Sequence, residues 1–236
     1  MHVRGQRECR DCEHRWSYYE TGAVDCPNCG SLRSVGIDDR TRHTDTPTSL
    51  DLSPHRRAVD TEGLAATADE LKRDLRSYRN KRGFIRGGEL LPLDGTYLAA
   101  TELLYVVDVL ERADEWTDDE EWYLLSLLRG ADLSDRPAAD EVPTSLRAAR
   151  GLAVTEAVDE YRREVLSWLD DNPDAAAREA LGTVSELLKR TRALGGDVPV
   201  EESEALLAAT LDVSRALREG DETALSAARE RLSRLP

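Results

Sequence analysis

Four cysteines stand in two C-x-x-C pairs, Cys9/Cys12 and Cys26/Cys29, separated by 13 residues, and they are all the cysteines of the chain. Two such pairs can wrap a tetrahedral cation, because each forms a tight knuckle whose backbone N–H groups point at sulfurs lying about 2.3 Å from the metal. The spacing predicts a structural site for one Zn2+. Iron held by the same four thiolates is the competing expectation, since the ligand set does not separate the two metals. A disulfide framework fits less well, because the start Met-His-Val-Arg has no apolar export segment. His14 is read as an exposed strand residue, four thiolates being enough for a four-coordinate structural site.

The residues between and after the knuckles suit a small β ribbon over 1–38. Trp16, Tyr18 and Tyr19 follow the first pair with strand-like composition, Thr21-Gly22 supplies a turn, and residues 31–37 follow the second pair. About 40 residues cannot bury enough apolar surface to fold alone, so the metal is expected to hold this part together. The run Tyr19-Glu20-Thr21-Gly22-Ala23-Val24-Asp25-Cys26-Pro27-Asn28-Cys29-Gly30 resembles the second half of the zinc ribbon of archaeal and eukaryotic transcription factor IIB. That resemblance covers roughly residues 7–37 and implies Cys9, Cys12, Cys26 and Cys29 as metal ligands. In that family the ribbon contacts RNA polymerase, and cyclin-like repeats behind it bind promoter DNA. Here the pairs are closer together than in the family and no repeated half follows. The chain as a whole looks like a ribbon-plus-helix protein of halophilic archaea.

The composition agrees with that setting. Asp and Glu number 47 against 32 Lys and Arg, a net charge of −15, and only Lys72, Lys81 and Lys189 are lysines. Acidic, lysine-poor surfaces stay hydrated where salt is molar and the screening length falls to about 3 Å. The expected compartment is a salty, reducing cytosol. No apolar run approaches the roughly 18 residues of a membrane span.

Residues 39–59 are polar and without periodicity, which predicts a flexible linker. From residue 60 to 236 the period is helical, and short connections predict an antiparallel bundle of about seven helices. Leu64, Ala68, Leu71, Leu75 and Tyr78 form one buried stripe. Residues 83–95 are expected to be a crossover whose Phe84, Ile85, Leu90, Leu91 and Leu93 plug the core. Thr96 to about Ala113 is apolar on nearly all sides. Thr117-Asp118-Asp119-Glu120 is a capping box, with Trp122, Leu125 and Leu128 expected to face inward. Helices over about 145–170, 173–194, 200–219 and 221–235 follow, the second capped by Asn172 with Pro173 at its first position and burying Leu181, Val184, Leu188 and Leu194.

Two sets of residues are candidate contacts. Lys72, Arg73, Arg76, Arg79, Lys81, Arg82 and Arg86 make residues 71–86 the one strongly basic stretch, suited to phosphate or to pairing with nearby carboxylates. Arg15, Trp16, Tyr18 and Arg33 are the expected docking surface of the ribbon. The histidines all lie in the first 55 residues, and no Cys-His or Ser-His pair, P-loop or Glu-x-x-His pattern stands in the helical part. The expected function is therefore non-enzymatic. A zinc ribbon docks on a protein or nucleic-acid complex, with transcription or RNA metabolism as its setting. Two alternatives stand beside it, a rubredoxin-like iron electron carrier and a purely structural clip on a ligand-binding helical domain.

Overall fold

The computed structural model describes residues 1–236 and divides them into two compact units, residues 1–48 with 80–91 and residues 49–79 with 92–236. The first unit consists of short strands. Strand β1 (His2–Arg4) leads into β2 (Gln6–Cys9) and β3 (Arg15–Ser17), and a single helical turn, α1 (Tyr18–Thr21), ends at Gly22 with φ 64°. β4 (Ser34–Gly36) and β5 (Arg40–Arg42) follow. β2 is the middle strand of an antiparallel sheet ordered β3-β2-β4, and β1 pairs antiparallel with β5. Tyr19 ties these pieces together. Its ring covers Gly5, where a Cβ would fall 2.0 Å from Cε2, and its hydroxyl reaches Val3 O (3.2 Å) and Thr41 Oγ1 (2.5 Å).

The linker expected over 39–59 is ordered instead. Its first part forms β5, and its middle runs along a hairpin of β6 (Ile85–Arg86) and β7 (Glu89–Leu90), with Thr44 N–H donating to Ile85 O at 2.9 Å and Thr46 N–H to Lys81 O at 2.9 Å. Asp45 is the anchor, its side chain 1% exposed. Arg82 Nη1 (2.8 Å), Arg86 Nε (3.0 Å) and Gly83 N–H (3.2 Å) all donate to it. Burial pushes the Asp45 carboxyl up, but Arg86 and Arg82 outweigh it and hold the group below its ordinary value. Charged hydrogen bonds thus order a segment that has no apolar pattern to announce it. The expected crossover at 83–95 likewise contains the β6–β7 hairpin, and Phe84, Ile85, Leu90 and Leu93 are buried as expected.

The second unit is helical. It holds α2 (Ser53–Glu62), most of α3 (Leu64–Lys81), α4 (Gly95–Leu110), α5 (Asp118–Gly130), α6 (Arg147–Trp168), α7 (Ala175–Ala193), α8 (Val200–Glu219) and α9 (Glu222–Ser233). That is one helix more than expected, because α2 occupies the end of the supposed linker. α6 packs against α4, α7 and α8, and α8 packs against α9. The α3 stripe of Leu64, Ala68, Leu71, Leu75 and Tyr78 is buried, each large apolar side chain contributing about 1.5–3 kcal/mol.

The Thr117 capping box is formed, and Asp94 and Asp221 cap α4 and α9. α7 is capped by Asp174 in place of the expected Asn172, because the Asp174 carboxylate accepts from Ala177 N–H at 2.9 Å while the Asn172 amide donates back to Trp168 O. Two inward-facing expectations are corrected. Trp122 is 63% exposed while Tyr123, Leu124, Leu127 and Leu128 are buried, since the run from Trp122 to Leu125 is compatible with two phases of the same helix. Leu194 is 49% exposed because α7 has already ended at Ala193.

The helical core encloses an ionic cluster centred on Glu102. Glu102 on α4 accepts two hydrogen bonds of 2.9 Å from Arg150 Nη1 on α6, and it also accepts the Tyr123 hydroxyl. Arg150 Nε reaches Glu204 on α8 at 2.8 Å, so one guanidinium links α4, α6 and α8. No helix is long and apolar enough to cross a membrane.

Candidate metal centre

The two C-x-x-C segments fold into matching knuckles. In the first, Glu13 N–H donates to Cys9 O at 3.0 Å and Cys9 N–H to His14 O at 2.9 Å. In the second, Gly30 N–H donates to Cys26 O at 2.8 Å and Cys26 N–H to Ser31 O at 2.9 Å. The fifth residue of each turn has positive φ, Glu13 at 58° and Gly30 at 72°. One knuckle meets this demand with glycine and the other with a residue that bears its steric cost.

The four Sγ atoms lie within 4.8 Å of one another. Cys9 Sγ is 3.6 Å from Cys29 Sγ, and Cys12 Sγ is 3.6 Å from Cys26 Sγ. A tetrahedron with bonds of about 2.3 Å has edges of about 3.8 Å, so the donor set has the size and chemistry to hold a metal ion.

Donors converge on the sulfurs. Asp11 N–H lies 3.4 Å from Cys9 Sγ, and Asn28 Nδ2 lies 3.7 Å from Cys12 Sγ. The His14 backbone N–H, followed by Asn28, pulls the Cys12 thiol down to about 6. The Ser31 backbone N–H pulls Cys29 down too, yet its thiol neighbours, Cys12 foremost, together with burial push it up to about 12. Crowded thiols cannot all ionise beside one another, and a divalent cation removes that conflict.

The structure sorts the expected docking residues. Trp16 is 7% exposed and forms a small core with Cys9 and Cys26, its Nε1 donating to Ala23 O at 3.0 Å. It belongs to the interior of the ribbon rather than to a docking surface, because a unit with so little apolar material spends its tryptophan beside the knuckles. Arg15 and Arg33 are exposed and paired with Glu8 (2.5 Å) and Asp11 (2.9 Å). Tyr18 is half-buried, edge-on to His43. His14 stays outside the sulfur cluster, stacked on Trp16 with 6.2 Å between centroids.

The basic stretch does not assemble into one free cationic face. Lys72, expected on the open side of α3, is buried, with Nζ 2.7 Å from both carboxylate oxygens of Glu111 and 3.3 Å from Asp108. Arg73 pairs with Glu70 at 3.0 Å, and Arg76 approaches Asp108 at 4.0 Å. Arg79 bonds Glu156 and sits over the Tyr97 ring at 5.7 Å. Arg82 and Arg86 belong to the first unit and hold Asp45, while Lys81 is exposed. The four glycines of the 83–95 segment were the visible signal of a hairpin; the burial of Asp45 had no signal in the sequence.

Residues 1–232 match a family of unknown function (DUF7117). No curated protein and no solved structure matches the chain.

Proposed function

The chain belongs to the DUF7117 family, and from that premise we propose that its first unit is a zinc-binding, non-enzymatic interaction module. It docks on a protein or nucleic-acid complex of transcription or RNA metabolism in a salty, reducing cytosol. The observation that carries this reading is the set of four Sγ atoms at tetrahedral spacing on two matching knuckles. Zinc is favoured over iron by the polar, open surroundings of the site. Cys29 is exposed and the exposed Arg33–Asp11 pair lies beside the knuckles, whereas redox centres are more often enclosed by an apolar shell.

The non-enzymatic role is supported by what the histidines do. His43 packs on Tyr19 with centroids 4.6 Å apart, and His55 Nε2 bonds Asp74 at 2.9 Å to join α2 to α3. The acidic, lysine-poor composition supports the salty setting.

Elemental analysis of the full chain, purified under reducing conditions, should give one colourless zinc per chain; a red protein with stoichiometric iron would replace the module with an electron carrier. Affinity capture in molar salt, with nuclease-treated and untreated halves, should recover a complex that is lost in Cys26→Ser/Cys29→Ser. A zinc-loaded protein that captures nothing specific would overturn the docking role.

A further inference from the structure

Within the first unit, β1 and β5 place like charges opposite one another. The register sets Arg4 against Arg40 and His2 against Arg42, and residues two apart share a face, so all four basic side chains lie on one side of this two-stranded ribbon. Its other side, with Val3 opposite Thr41, meets Tyr19. Like charges directly opposite in an antiparallel pair are destabilising, so the Arg4–Arg40 pair favours an anion on this face.

The face opens on a cleft of about 350 Å³ lined by His2, Arg4, Arg7, Tyr18, Val24 and Arg40, among others, with no carboxylate in its lining. Gly36 lets Arg4 lie close against β4, since a Cβ there would fall 2.5 Å from Arg4 Cβ. Arg4 and Arg7 are oriented by neutral oxygens. Arg4 Nη1 donates to the Asp38 carbonyl (2.6 Å), and Arg7 Nε and Nη2 donate to Ser34 Oγ (3.1 and 2.8 Å). The nearest carboxylate in these contacts, Asp38, turns one oxygen to Gly5 N–H at 3.0 Å.

We propose that this cleft binds the phosphate of a nucleotide, with Arg4, Arg7 and Arg40 as its cationic wall and Tyr18 and Val24 as the apolar wall for the base. Guanidinium forks match phosphate oxygens bidentately, and the volume suits one nucleotide unit. The proposal deepens the docking role and rests on it for its biological setting, naming the chemistry the ribbon recognises. The phosphate comes either from a free nucleotide or from the end of a single strand.

The test uses the full chain, its metal content and fold verified, in molar salt, where the screening length is about 3 Å, and again at about 0.15 M, where it is about 8 Å. Adenosine 5′-monophosphate, adenosine, inorganic phosphate and a hexanucleotide with or without a 5′-phosphate are titrated by calorimetry. Saturable binding of the monophosphate at about 1 mM or tighter is expected. Inorganic phosphate should compete and adenosine should not bind. Arg40→Glu should weaken binding at least roughly tenfold and Arg40→Lys by less, because lysine keeps the charge without the fork.

Stronger binding of the 5′-phosphorylated hexanucleotide than of its 5′-hydroxyl form assigns the strand end, and binding of the mononucleotide alone assigns the free nucleotide. The proposal is overturned by no saturable binding of any phosphate-bearing probe to a folded, metal-loaded chain, or by binding that Arg40→Glu leaves unchanged. Loss of metal in the same sample would instead mark failure of the zinc reading.

Discussion

The two units carry charge very differently. Residues 1–48 and 80–91 hold ten Lys and Arg against nine Asp and Glu, so the remaining residues, with 22 against 38, account for a formal charge of −16 within the chain's −15. They also differ in what orders them. The ribbon unit has short strands, a small cluster of Trp16 with Cys9 and Cys26, a buried patch of Phe84, Ile85 and Leu90, and a buried Asp45 held by two arginines. The helical unit has continuous apolar stripes with ionic clusters enclosed between helices. A strongly acidic average thus conceals a near-neutral, arginine-rich ribbon. The lesson is that charge read over a whole chain says little about the surface of one part of it.

Removing the metal should separate the units most sharply. Structural zinc contributes apparent binding energies of about 10–16 kcal/mol, all of it to the part that folds around it. Chelation, or Cys26→Ser, should therefore abolish amide protection in residues 1–48 while helical ellipticity stays nearly unchanged. Loss of the helices in the same step, followed by hydrogen exchange and circular dichroism, would show that the contrast is false.

Arg150→Met should do the reverse. It takes from Glu102, fully buried, its closer guanidinium and leaves only Arg136 Nη1 at 3.4 Å, at a cost of up to about 3–5 kcal/mol. The melting temperature of the helical unit should fall while the chelator midpoint of the ribbon is unmoved. The double variant Arg150→Met/Glu102→Leu should recover much of the loss; no recovery would mean that the cluster's geometry, rather than stranded charge, sets the cost.

Acid sharpens the contrast more gently. Burial pushes Asp159 up, yet Arg192, Arg163 and Arg162 outweigh it and hold the carboxyl at about 2, and Glu156 and Asp132 are also held below their ordinary values. A carboxylate with a depressed folded pKa gives stability that is complete above its unfolded value of about 3.9 and lost as pH falls through the folded one. Denaturant midpoints of the helical transition should accordingly decline between about pH 5 and 2. Asp159→Asn should be less stable at neutral pH and show a shallower decline; an unaltered slope would remove Asp159 as a source of it.

The smallest effect tests the likeness of the knuckles. Glu13→Gly relieves a positive φ and should raise the ribbon's resistance to chelator by about 0.5–1 kcal/mol, whereas Gly30→Ala should lower it by a similar amount. Equal midpoints for all three proteins would mean that the turns are not under conformational demand.

The cysteine cluster was legible because all its donors lie in one short segment at a spacing that few other chemistries use. The helices were legible from their periods and from caps such as Thr117, Gly220 and the Gly195-Gly196 stop. β5 was not, since three polar residues whose partners lie about 40 positions away leave no local pattern. Asp45, Arg82 and Arg86 were hidden for a related reason. A side chain typical of surfaces becomes interior when its charge is satisfied, as that of Asp45 is by Arg82 and by the exposed Arg86, and composition alone assigns it to solvent. Trp16 and Trp122 exchange their expected places, because a tryptophan is equally at home beside a metal knuckle or on a helix surface.

The chain enters the first unit twice, through residues 1–48 and again through residues 80–91 between α3 and α4. Such a ribbon is not a cassette. A gene fusion that transplants the first 48 codons carries Asp45 without Arg82 and Arg86, and a deletion of those codons takes from both arginines the carboxylate they hold. Any transplant of this module has to carry residues 80–91 as well as 1–48, and the family match over residues 1–232 spans both units.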